Sequence, residues 1–129
     1  MSVELVVEAV AVKNSMINAL VDALDAGSTA DHATIDILDI NEVVLATYEC
    51  STPAFIAAAS GMAVASTITT PTVSDASGTG VSFVAKDRDG DAIFSGSVGT
   101  SGAVLNMTSV SFTAAVQPED ITAFTVAMA

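Results

Sequence analysis

From Thr34 onward, apolar side chains recur with a period of two in short runs, and each run is broken by Gly, Pro, Asn or Asp. ATIDILDI, VVLATYEC, MAVASTIT, VSFVAKD, AIFSGSV, VLNMTSVSF and ITAFTVAMA all carry the pattern. Side chains that point alternately to two faces mark a half-buried strand, and Val, Ile and Thr pack well on a pleated surface. Asp89-Gly90 between two such runs signals a hairpin with Phe83 and Phe94 on its two arms. Pro53, Pro71 and the turn at residues 117–120 end their runs, because Pro cannot donate to a ladder. The expected fold is mainly β: an antiparallel β-sandwich, jelly-roll-like, of about seven to eight short strands with one N-terminal amphipathic helix.

That helix is read at about residues 15–26. Asn14 or Ser15 offers an N-cap oxygen, and Met16, Ile17, Leu20, Val21 and Leu24 follow at helical spacing. Asn18, Asp22 and Asp25 face away, and Gly27 stands where a left-handed residue ends a helix. Residues 3–12 fit two periods: Val3, Leu5, Val7 and Ala9 alternate with Glu4, Val6, Glu8 and Val10, yet Val3, Val6, Val7 and Val10 share a helical stripe. β-branched density favours the strand. The expected organisation is an N-terminal arm or edge strand over residues 1–12 and a single β-sandwich domain over residues 13–129. Val3, Leu5, Val7 and Val10 are the expected partner contacts of that arm.

Side-chain chemistry is scarce. The chain holds three basic residues, one His and one Cys against fifteen acids, for a formal net charge of −12. Phosphate backbones require Lys or Arg, so nucleic-acid binding is not expected. No long uncharged apolar run is present, so no membrane span is expected. The opening MSVELVVEAVAV contains Glu4 and Glu8 and no basic residue, unlike a secretory signal.

Residues 87–91 are the one constellation resembling a metal loop, with Asp87, Asp89 and Asp91 as weak candidate ligands of a hard cation. The spacing lacks the bidentate acid of an EF-hand, since the twelfth position is Val98. A solvated hairpin tip is the simpler reading, and no metal or other cofactor is expected. Asp31, Asp36, Asp39, Glu42 and Glu49 alternate toward the solvent face of strands. Cys50 reads as a small core or edge residue, and His32 as an exposed loop residue with no motif around it. Gly96, Gly99 and Gly102 lack the Gly-Lys-Ser/Thr ending of a phosphate loop and read as turns and close strand contacts. Met62, Met107 and Met128 read as core fillers. No catalytic residues are assigned, because acid–base and nucleophilic chemistry needs a base that this chain does not supply.

The order NSMINALVDALDAG, IDILD, LATYECSTPAF with AASGMAVAS, then GTGVSFVAKDRDGDAIFSGSVGTSGAVLNM and ITAFTVAMA, resembles a family of small Ala/Thr/Gly-rich structural proteins of tailed bacteriophages and prophages. The likeness spans about residues 11–129 and is most specific at residues 87–105. The chain departs from it in a short connection after the first strand and in residues 1–10, which extend ahead of the family core. The resemblance implies a non-enzymatic virion protein, foremost a capsid decoration (cement) subunit. Its expected partners are the major capsid protein or other virion proteins and further copies of itself, a trimer being favoured. Its expected location is the virion, assembled in the bacterial host cytoplasm. A neck, collar or tail connector or a fibre-base protein is the alternative, and a carbohydrate- or receptor-binding module the competing class.

Overall fold

The computed structural model describes residues 9–127, and it is mainly β with one N-terminal helix. Helix α1 runs Val10–Asp22 and continues as a 3-10 turn, Ala23–Asp25. Ten strands follow: β1 Thr34–Leu38, β2 Val44–Cys50, β3 Met62–Val64, β4 Ile68–Thr69, β5 Gly78–Thr79, β6 Ser82–Lys86, β7 Ala92–Gly99, β8 Leu105–Met107, β9 Ser111–Phe112 and β10 Ile121–Ala127. Eight form one sheet in the order β3-β10-β8-β7-β6-β1-β2-β4, and β5 pairs with β9. Every strand pair is antiparallel except β7 with β8. The outermost strands β3 and β4 are joined by residues 65–67 alone, so the sheet curls until its two edges approach each other. This agrees with the sandwich-like β fold expected from the alternation. The strand count exceeds the expectation because β4, β5 and β9 are two-residue pairings, too short to show a period.

Residues 10–12 are helical, not the end of a strand. Val10 and Val12 are about half exposed there, and Ala9 is the N-cap, with no side chain closing the first turn. Residues 3–8 of the expected arm, including Val3, Leu5 and Val7, lie outside the described residues. Asn14 and Ser15 sit inside the helix. Ser15 Oγ donates to the Ala11 carbonyl, while Asn14 Oδ1 accepts from Gly61 N–H at 2.9 Å.

Two further side chains on α1 and its 3-10 extension act like Asn14. Asn18 Oδ1 accepts from Ala58 N–H at 2.8 Å, and Asp25 Oδ1 accepts from Ala54 N–H at 2.9 Å. Asn18 and Asp25 therefore face the irregular segment 54–61 rather than away from the fold. They satisfy amides that this segment, lacking a ladder on that side, would otherwise leave unpaired. Ile17, Val21 and Leu24 enter the core, whereas Met16 is 41% exposed.

The core between helix and sheet holds Ile35, Ile37, Leu45, Tyr48, Phe83, Leu105 and Met107. Phe55, Phe83, Phe94 and Phe124 cluster edge to face within it, with Phe83 and Phe124 centroids 4.9 Å apart. Phe83 and Phe94 do meet across the β6–β7 hairpin, at 6.0 Å and 89°. Met62 departs from its expected role as core filler: it is 44% exposed at the sheet edge, while Met107 is buried. Met128 lies outside the described residues.

Candidate functional site

Residues 87–91 form the β6–β7 hairpin tip and are held by their own backbone. Asp87 Oδ1 accepts from Asp89 N–H at 3.0 Å and Asp91 N–H at 2.9 Å. Gly90 supplies the positive φ, 86°, that the turn requires. Asp89 points away from Asp87: its Oδ1 accepts from Ser28 N–H, Thr29 N–H and the Thr29 hydroxyl. These bonds, the Ser28 amide foremost and then those from Thr29, hold its carboxyl below the ordinary 3.8. Arg88 Nε donates to the Ala30 carbonyl at 2.8 Å, and the two backbones exchange further bonds.

The acidic turn thus clips the hairpin tip to the loop leaving the helix. Asp87 and Asp89 are occupied by amides on opposite sides of the turn and do not converge with Asp91 on a common point. Among the described residues, no group of three or more His, Cys, Asp or Glu is placed to hold a metal ion. Gly27 belongs to this clip. Its φ is +109°, and a Cβ there would lie 2.7 Å from Asp89 Cγ, so the positive φ anticipated as a helix stop also permits close approach.

The other titratable candidates are dispersed. His32 is exposed, with Nδ1 3.3 Å from the Thr52 hydroxyl. Cys50 is buried, and burial, aided by the Asp25 carboxylate, pushes its thiol up to about 12. Such a thiol is not a nucleophile near neutral pH. Tyr48 donates to the Glu119 carbonyl at 2.6 Å, anchoring the turn before β10. Burial first, then Asp120 and Glu119, raises its phenol well above the ordinary range.

Glu49 is exposed on β2 as the alternation requires, but Asp31, Asp39 and Glu42 lie in loops and not on strands, Asp31 and Glu42 exposed and Asp39 half-buried. Asp36 is not exposed. It lies on the outer face of central strand β1, yet its carboxylate is covered, meeting Lys86 Nζ at 2.7 Å and the Thr47 hydroxyl at 2.7 Å. Alternation identified its face but not the neighbours on β2 and β6 that roof it over.

The feature missed by the sequence reading is a groove of about 260 Å³ between residues 64–68 and 121–124. It lies where the curled sheet fails to close, and none of its lining residues is charged. Half-buried Ile68 and Ile121 and buried Phe124 give it an apolar floor. Only the register of β4 and β10 creates it, and no local pattern announces a gap between strands so far apart in sequence.

No family model, no curated protein and no solved structure matches the chain. No helix among the described residues is long and apolar enough to cross a membrane.

Proposed function

We propose that this chain is a non-enzymatic structural protein of a tailed-bacteriophage particle, a capsid decoration (cement) subunit that stabilises the shell. The observation that supports it is the use of the polar groups. Asp25, Asp36, Asp89, Arg88 and Lys86 each hold one segment of the fold to another, Asp87 closes its own turn, and Cys50 is buried with its thiol pushed up to about 12. What the chain presents outward is contact surface, including the exposed apolar tip Ile40, Val43 and Val44 between β1 and β2. The resemblance of residues 11–129 to small phage and prophage proteins supplies the setting. Partners are the major capsid protein or other virion proteins and further copies of the chain, as a trimer. Val3, Leu5, Val7 and Val10 are its proposed partner contacts. A lectin-like reading lacks an aromatic platform, since Tyr48 and all five Phe residues are buried or half-buried.

Quantitative mass spectrometry of purified particles tests the proposal. A decoration protein is present at on the order of hundreds of copies, whereas a neck or collar ring holds about six or twelve. Absence from purified particles overturns both.

A further inference from the structure

We infer that the β1–β2 tip of one copy of this chain docks on the α1–β3 face of a second copy, around Lys13. The inference rests on the reading of the protein as an assembly subunit and names the two faces through which its copies meet.

The tip is a prebuilt knob. Asp39 Oδ1 accepts from Asn41 N–H at 2.8 Å and Val43 N–H at 2.9 Å, and Glu42 N–H donates to the Asp39 carbonyl. These bonds hold Glu42 at a φ of 64°, a left-handed conformation that a non-Gly residue keeps only where its surroundings enforce it. Ile40, at 81% the most exposed large apolar residue among the described ones, stands on this turn beside exposed Val43 and Val44. β-Branched side chains on a closed turn have little freedom left to lose, so docking them costs little entropy. Residues 75–81 flank the knob, since Asp75 N–H donates to the Leu45 carbonyl and Val81 N–H to the Leu38 carbonyl. Asp39, Glu42 and Asp75 thus border the apolar tip, and residues 38–47 and 75–81 contain no Lys, Arg or His.

The acceptor has the opposite character. In a chain of charge −12, residues 10–21 and 54–74 hold no Asp or Glu, and Lys13 is their one charge. The Lys13 stem lies against Gly61, where an added Cβ would be 3.3 Å from Lys13 Cδ. Val12 and Met16 are exposed one turn apart on α1, and Met62 and Val64 are exposed on β3, against which α1 packs. Lys86 is spent on Asp36 and Arg88 on the Ala30 carbonyl, whereas Lys13 makes no ion pair or hydrogen bond among the described residues.

Charge selects the pairing. Two tips face to face would set Glu42 and Asp75 against their own counterparts, and an acidic knob is repelled by nucleic acid and by anionic lipid. The α1–β3 face joins apolar side chains to a cation without an acid. There Ile40, Val43 and Val44 meet Met16 and Met62 while Glu42 approaches Lys13. Because the two faces differ, copies join head to tail, the kind of contact that closes into a ring such as the proposed trimer.

Sedimentation of the full chain tests the contact. The wild type should self-associate. Glu42→Lys and Lys13→Glu should each weaken association about tenfold, and the double variant, with the charges exchanged, should recover it. Ile40→Asp, at a position already open to solvent, should weaken it roughly thirtyfold with an unchanged far-UV circular dichroism spectrum. A monomeric wild type, or single reversals that have no effect or are not rescued in the double variant, overturns the contact. Normal association of Ile40→Asp also overturns it, and loss of that variant from purified particles would then give the tip to another virion protein. Recovery of a monomeric protein in particles rejects the contact and leaves the virion reading standing. Absence from particles rejects that reading, while sedimentation alone decides the contact.

Discussion

Asp36 and Lys86 form an ion pair at 2.7 Å on the outer face of the sheet, with the carboxylate side chain 9% exposed and the lysine 35%. They are diagonal neighbours, since Asp36 lies opposite Val84 and Thr34 opposite Lys86. The pair joins β1 to β6, and the Thr47 hydroxyl adds β2. Asp36→Ala strands an ammonium and a hydroxyl together. It should lower unfolding free energy by about 1–3 kcal/mol, less than a fully buried pair because Lys86 still reaches water. Asp36→Asn, which keeps the Thr47 bond, should cost less. Urea melts of the two variants check the order.

Gly96 faces the ring of Phe83 across the β6–β7 hairpin, and a Cβ there would lie 2.8 Å from Phe83 Cε1. Phe83 is fully buried in the aromatic cluster and has no room to yield. Gly96→Ala should destabilise by about 1–3 kcal/mol through overpacking. Gly102→Ala is a control for backbone strain alone: its φ is +72°, and nothing lies within 4 Å of the added Cβ. Thermal melts should separate them, with combined Phe83→Leu rescuing Gly96→Ala but not Gly102→Ala.

The Asp89 clip carries an acid sensitivity of defined sign. Its folded carboxyl is held below the ordinary 3.8, so its contribution is present above that pH and disappears as pH falls through the lower folded value. Protection of the Ser28 and Thr29 amides against hydrogen exchange should therefore be steady at neutral pH and collapse only below pH 3.8. In Asp89→Ala both amides should be unprotected throughout.

Cys50 is predicted to be silent toward thiol reagents in the native protein. With its thiol at about 12 and its side chain buried, DTNB at mildly alkaline pH should react only as the chain unfolds. The labelling rate then reports opening of the β2 edge, and a fast native-state reaction would mean that the strand is open in solution.

The alternation of IDIL and SFVAK exposed their strands because each has one face on a single core, which imposes a period of two, whereas in ITAFTVA the register shift between Ile121 and Ala123 breaks that period. The DRDGD hairpin was legible because Asp-Gly suits a tight turn whatever surrounds it. The start of α1 was not. Val10 and Val12 carry strand propensity, yet they form the first turn of α1, which is tied to segment 54–61 further along through Asn14. Asn18 and Asp25 look like solvent-facing polar residues until the segment needing their oxygens is known to lie beside them. The groove was invisible for the same reason: it belongs to the closure of the sheet.

Titration of the purified protein onto capsids lacking it, followed by calorimetry of shell disruption, tests the structural role most directly. Saturable binding at a fixed ratio to the capsid protein, with a rise in the temperature at which the shell breaks, is predicted. Failure to bind any shell, together with substrate turnover by the isolated protein, would contradict it.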